Sequence, residues 1–464
     1  MIKIFSCFLC LVILFTIGCA STRTSKKHFI GINEKLISRD YAGTLKQIES
    51  AKGKFYTEKE RALYYVDAGM LNHYQGNYEE SNTLLSKAEK DFDELYTKSL
   101  SRAAASMLLN DNILAYSGED YENIYINVFM ALNYIEMDDF DGAFVEIRKI
   151  NNKLSQLEQK HKKMANSYNK SKDKKKNYET GTNRFHNSVL GRYLSMLIYR
   201  AEGKIDDARI DKEKMDIAWQ VQSHIYNFSK PDFEKCLSRT EKAKLNVIAF
   251  SGRAPDKKAN TLYIHTEKNL LLIGTTKEGP KGKQNLESFN PIPWKDMKKG
   301  YHFKFQLPVM KTRNSNIGRI ELIVDDKLTT DLQQIEDIEK VALETFKIKE
   351  PLIYLKTITR TVSKGLFAAK RKQEMEKKIN NEILGFAARW ATDALVDATE
   401  NADLRISSFF PAKTLVTELE LDPGVYNIKV KYYSKNGSVL FVDDLGQKEI
   451  TRSGLNLFES FYLN

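Results

Sequence analysis

The side chains that could do chemistry in this chain are few and scattered. Seven histidines, at positions 28, 73, 161, 186, 224, 265 and 302, include no pair four residues apart, the spacing that turns two imidazoles toward one zinc ion from a helix face. Cys236 is the one cysteine beyond the N-terminal segment, so no cysteine-based metal site is available. Such a thiol is expected to act as a small buried hydrophobe. Gly274-Thr275-Thr276-Lys277-Glu278-Gly279-Pro280 has the glycine spacing of a phosphate loop, yet Pro280 stands where the lysine belongs and removes an N–H from the cradle. There is no glycine-x-serine-x-glycine elbow. The pairs Asp325-Asp326 and Asp443-Asp444 sit in turn-like segments where solvation accounts for them. The expectation is a protein that is not an enzyme and holds no cofactor and no metal.

What remains is recognition. Ser251-Gly252-Arg253-Ala254-Pro255 follows a short apolar run, and Arg253 could offer a bidentate pair of hydrogen bonds to a carboxylate on a partner. The competing reading is an arginine tied to an acid within its own turn. Glu400, Asp403 and Arg405 carry the same ambiguity.

The elements that would position these residues begin with an export signal. Lys3 precedes an apolar run from Ile4 to Ile17, which is shorter than the roughly 20 residues of a membrane span. Phe15-Thr16-Ile17-Gly18-Cys19 resembles a lipoprotein signal, with Thr16 where that pattern prefers leucine. The resemblance implies cleavage of residues 1–18, acyl chains on Cys19, and a lipidated tether over 19–27. Two or more acyl chains hold a protein stably where one does not. Ala20, in place of an acidic residue, favours the outer membrane by the same resemblance. An exported chain leaves nucleic acid out as a partner, despite the formal charge of +11. Eight lysines against one acid between Lys160 and Lys176 would meet an anionic surface instead, or form a solvated helix extension.

All nine prolines lie from Pro231 onward, which suits continuous helix before that point and turns and strands after it. Within residues 28–240 three segments share a frame of small and aromatic residues at tetratricopeptide spacing. The first uses Gly69, Gly76, Tyr78, Ser81, Leu85 and Ala88; the second Ala131, Tyr134, Asp138, Phe140, Ala143, Ile147 and Ile150; the third Tyr199, Gly203, Ile205, Ala208 and Met215. A weak opening copy lies around Tyr41, Ile48 and Ala51. Small residues let paired helices approach, while Tyr78, Phe140 and Ile205 wedge between pairs. Such arrays leave a concave face, for which Tyr74, Asn127, Asn133 and Tyr134 are the candidate contacts.

Residues 241–403 read as strands and then a long helical region. Leu245 to Phe250, His302 to Leu307 and Ile317 to Val324 are strands, and Thr330-Asp331-Leu332-Gln333 is a capping box that opens helix. Breaks are expected near Glu350-Pro351 and Asn380-Asn381, with Ile383, Ala387, Trp390, Ala394 and Ala398 lining the last helix. Residues 404–464 alternate as strands, turning at Asp422-Pro423-Gly424 and Lys435-Asn436-Gly437-Ser438, and read as a small antiparallel β-sandwich. The class is therefore α+β.

Ala131-Leu132-Asn133-Tyr134 with Phe140 to Arg148, Arg192-Tyr193-Leu194-Ser195, Ser251 to Pro255, Glu400 to Arg405 and Leu421 to Tyr426 together resemble a poorly characterised family of bacterial outer-membrane lipoproteins with a tetratricopeptide-like N-terminal half. The resemblance implies a place beside lipoproteins that regulate cell-wall synthases. The expected role is a lipid-anchored, periplasm-facing scaffold that binds other envelope proteins. An envelope enzyme acting on peptidoglycan or polysaccharide through residues 241–464, and a passive spacer, stay open.

Overall fold

The computed structural model describes residues 29–101, 111–170, 177–278, 284–378 and 401–464. Cys19, its signal and tether, residues 171–176 of the lysine run, and the helix expected over 383–398 lie outside them, as does the break at Asn380-Asn381.

The proline-free half is helical, in pairs joined by short turns: α1 Ile32–Ile37 with α2 Tyr41–Ser50, α3 Arg61–Tyr74 with α4 Tyr78–Ser101, α5 Asp120–Glu136 with α6 Phe140–Asn169, and α7 Val189–Ala201 with α8 Ile205–Val221. The turns fall where residues able to take a left-handed backbone stand. Gly76, Asp138 and Gly203 all have positive φ. Asp139 caps α6 by accepting from the Gly142 N–H at 2.8 Å. Gly69 lets α3 and α4 close, because a Cβ there would stand 2.7 Å from Leu85 Cδ2. Ala88, Ala131, Ala143 and Ala208 are fully buried, and Tyr78, Phe140 and Tyr199 are half-buried beside them. Ile205 departs from the expected wedge: it is 46% exposed, since among the described residues no helix pair follows α8 to cover it.

Among the described residues, three four-stranded sheets follow. The central one has the order β12-β1-β9-β8, built from β1 Ala243–Ser251, β8 Gln333–Asp337, β9 Lys413–Leu421 and β12 Asn456–Tyr462. β1 runs parallel to β12 and antiparallel to β9. A second sheet is β11-β10-β6-β7, from β6 Ile317–Val324, β7 Leu328–Asp331, β10 Gly424–Ser434 and β11 Val439–Ile450. The third is β4-β3-β2-β5, from β2 Asp256–Glu267, β3 Leu270–Glu278, β4 Gln284–Pro293 and β5 His302–Lys311.

β1 explains the layering. Leu245, Val247 and Ala249 point into one core with Leu322 of β6 and Ile428 and Val430 of β10. Ile248 and Phe250, on the opposite face, join the core of the helical half. A strand covered on both faces is apolar on both, which is why Leu245 to Phe250 reads as an apolar run broken only by the buried Asn246. Residues 404–464 do not make a sandwich of their own, because β9 and β12 pair with β1 while β10 pairs with β6. The Lys435-Asn436-Gly437-Ser438 turn is as expected, with Gly437 at φ 87° and the Ser434 N–H donating to Ser438 O.

Two local readings fail for identifiable reasons. Thr330 to Gln333 starts no helix: Leu328–Asp331 pairs with β6 and Gln333–Asp337 with β9, so strand pairing outweighs the capping signal. The helix α9 begins later and runs Ile338–Lys378 straight through Pro351. Proline removes a bond to the carbonyl four residues back and crowds that turn. The segment 177–188 packs against this turn, with the Gly181 N–H donating at 3.0 Å to Ile348 O, the carbonyl next to the Lys347 O that proline leaves without its helical donor. A Cβ on Gly181 would lie 2.4 Å from Lys347 O and 2.9 Å from Ile348 Cα, both backbone atoms. Gly181→Ala is therefore expected to lower the free energy of unfolding by about 1–3 kcal/mol; a denaturant midpoint unchanged from wild type would refute this role.

Candidate functional site

The inner face of the helix pairs carries the residues expected to line a trough, and the chain itself fills it. Tyr74 is buried, its hydroxyl donating to Phe409 O at 2.6 Å and its ring 4.9 Å from that of Phe461. Phe129 packs against Phe250 and Phe410. Asn133, fully buried, donates to Ser81 Oγ and Asn82 Oδ1, and its oxygen lies 2.6 Å from His73 Nδ1. Asn127, equally buried, donates to Glu89 and Glu146 and accepts from Lys153 Nζ. Tyr134 is half-buried over Gly142, where a Cβ would come within 2.7 Å of its ring. Tyr74, Asn127 and Asn133 are thus not surface contacts, and Tyr134 is a packing residue. For Tyr74 the reason is long-range, since β12 and residues 406–412 cover its face, whereas Asn127, Asn133 and Tyr134 are taken up between neighbouring helices.

The join between the two halves is a buried polar layer. Asp67 accepts from Tyr56 and from Ser407 Oγ, each at 2.6 Å, while Glu122 accepts from Tyr116 and the Ser407 N–H. Glu119 of the helical half meets Lys257 of β2 and, at 2.6 Å, Lys349 of α9. Glu336 accepts from Tyr125, Tyr226 and the Leu190 N–H. Burial pushes the Asp67 and Glu336 carboxyls up to about 7, against the hydrogen bonds that favour their charged forms. An acid whose folded value is raised binds more protons when folded, so the stability it gives is full below about pH 4 and is lost as pH rises to about 7. Wild type is expected to unfold at lower urea at pH 8 than at pH 5, and Asp67→Asn to narrow that difference. An identical pH dependence in the variant would contradict it.

Arg405 resolves toward structure. It grips Asp403 with Nε and Nη2 at 2.9 and 2.8 Å, reaches Glu60 at 3.2 Å, and donates to Leu114 O and Asp111 O. Glu400 lies outside the described residues.

Arg253 makes no comparable set of internal bonds among the described residues. Its loop is held rigidly after β1: the Gly252 N–H donates to Tyr462 O, the Ala254 N–H to Phe410 O, and the Ala412 N–H to Ser251 O. Gly252 is required, having φ 65° and so close an approach that a Cβ there would lie 3.2 Å from Ala412 Cβ. On this clamp the half-buried Arg253 places its Nε out of solvent with no hydrogen-bond partner. Among the described residues it forms no ion pair. Desolvation, then the like charge of Arg313, holds its guanidinium down to about 10, while Asp256 opposes them. Arg313, from the turn between β5 and β6, is itself engaged, donating to Ala254 O at 2.9 Å and standing 3.7 Å from Asp256. Sequence reading missed Arg313, which stands in no motif. A guanidinium whose Nε has lost water without gaining an acceptor, beside a second guanidinium, has unmet demand for a carboxylate.

The other recesses are spoken for by internal pairs. A cleft of about 340 Å3 between α4, α5 and α6 contains Lys153 and Lys160. Lys153 bonds Glu89, and Lys160 and His161 both reach Asp120 at 2.7 Å. The lysine run expected to meet an anionic surface therefore begins with an inward-facing structural pair. Opposite burial, Lys153 and Lys149 hold Glu89 down to about 2. A second cleft, of about 400 Å3, includes Cys236, whose thiol burial pushes up to about 12, suiting an inert side chain. No family model matches the chain, and no curated protein or solved structure matches it.

Proposed function

We propose that the chain is an exported lipoprotein, cleaved before Cys19, acylated on that cysteine and facing the periplasm from the outer membrane. It binds other envelope proteins and acts as an accessory factor in envelope or cell-wall assembly, not as an enzyme. The motifs that resemble outer-membrane lipoproteins support this placement, and the helix pairs are taken as tetratricopeptide-like repeats. Their concave face is closed by the chain's own strands, so the recognition surface moves to the loops at the end of β1. The observation that carries this reading is the half-buried Arg253, whose Nε is shielded from water without an acceptor and which stands beside Arg313. A carboxylate-bearing segment of a partner is the ligand that chemistry fits.

Two measurements test it. Cys19→Ser is expected to lose incorporation of labelled palmitate in growing cells, because no thiol then accepts an acyl chain; label retained on that variant would remove the anchor. Crosslinking in intact cells with Arg253→Gln is expected to lose a partner that wild type captures. Capture of every partner by that variant would remove the site.

A further inference from the structure

The third sheet is covered on one face by α9, through Ile264, Phe303 and Phe305 against Ile358 and Val362. Side chains alternate along a strand, so the neighbours His265 and His302 turn to the other face. They are a directly opposed pair in the register of β2 and β5. Their Nδ1 atoms lie 3.2 Å apart, while the ring centroids lie 4.4 Å apart at a tilt of 41°. The rings therefore do not stack; they converge on their Nδ1 edges.

Glu267 sets the tautomer. Its Oε1 is 3.2 Å from His265 Nε2, and its other oxygen is 3.5 Å from Lys299 Nζ. A carboxylate accepts the Nε2 hydrogen, which leaves His265 Nδ1 as a lone-pair nitrogen aimed at His302. Two imidazole nitrogens bound to one metal at about 2.0–2.1 Å, meeting near the tetrahedral angle, stand about 3.3 Å apart. The observed separation matches that span.

The geometry points to a solvent-facing cation site in which His265 Nδ1 and His302 Nδ1 ligate one borderline divalent ion, Zn2+, Cu2+ or Ni2+, with Glu267 orienting His265. Imidazole selects these ions over Mg2+ and Ca2+, which take oxygen ligands. Among the described residues no three His, Cys, Asp or Glu side chains are grouped to hold a metal, so water completes the shell and the ion exchanges readily. Bound metal would also tie β2 to β5 across the sheet. Nothing in this site depends on Arg253 or on the anchor.

Full-length protein prepared without a histidine tag would be titrated with Cu2+ and Zn2+, following metal by calorimetry and Cu2+ ligation by electron paramagnetic resonance. One saturable ion per chain with two nitrogen couplings is expected. His265→Gln and His302→Gln should each weaken binding at least tenfold, and Glu267→Gln about tenfold. Mg2+ should not compete. Both histidines lie on an open face, so the variants should keep the wild-type thermal midpoint in chelator, and a rise in that midpoint with Zn2+ should be confined to wild type and Glu267→Gln. Equal binding by wild type and both histidine variants would overturn the site, as would saturation weaker than about 1 mM. The remaining histidines would then be the ligands, or none would.

Discussion

Glu119→Ala is expected to destabilise the protein by about 3–5 kcal/mol, because it strips the shared acid from two lysines. Lys257 is buried and donates in addition to Arg405 O at 3.1 Å; Lys349 comes from α9. With Glu119 gone, Lys257 is left in the interior with a charge and one carbonyl acceptor. The three residues come from the helical half, the third sheet and the long helix, so this loss should loosen the join and not merely one helix. Equilibrium unfolding in urea measures the total, and limited proteolysis reports whether the halves separate. A second substitution, Lys257→Met, should recover part of the loss, since it removes the stranded charge. A Glu119→Ala midpoint within error of wild type would show that the polar layer contributes little.

Arg253→Met is expected to act with the opposite sign on stability. It removes a guanidinium whose Nε is buried without a partner and which Arg313 repels, while keeping an unbranched apolar side chain in the loop. The free protein should become more stable by about 1 kcal/mol or more, and the partner should be lost. A structural arginine behaves differently: Arg405→Met breaks five hydrogen bonds, three of them to the carboxylates of Asp403 and Glu60, and should destabilise. The pair of substitutions thus tests whether Arg253, unlike Arg405, serves recognition and not folding. Strained or unsatisfied groups persist where function retains them, at some cost to stability.

Much of the local architecture is legible in the residues alone. Turn formers at Gly76, Asp138 and Gly203 mark the helix pairs, since left-handed backbone has few other hosts. The apolar run at Leu245 and the alternation from Ile317 mark β1 and β6 for the same kind of reason. What sequence hides is long-range. Phe461 lies nearly 400 positions from Tyr74, and nothing in either neighbourhood announces that their rings meet. The same contact converts Tyr74 from an expected surface residue into core. Thr330 to Gln333 has the composition of a helix start, but β6 and β9 supply partners that a local pattern does not include. Pro351 reads as a break unless one knows that Gly181 arrives to bond Ile348 O.

The candidate site divides along the same line. Arg253 stands out because it follows a buried strand in a Gly-Arg-Ala-Pro turn, yet whether it is paired or free depends on loops more than 50 residues away. Arg405 has an equal claim from sequence and spends its donors internally. Asn127 and Asn133 are polar residues on an inner helix face, a position that suits a ligand and suits a buried hydrogen-bond network equally.

The most direct test is to measure urea unfolding and in-cell crosslinking on the same Arg253→Met protein. A midpoint at or above that of wild type, together with loss of a specific crosslinked partner, is the predicted result. A lowered midpoint with every partner retained would mean that Arg253 serves the fold and that the recognition surface lies elsewhere.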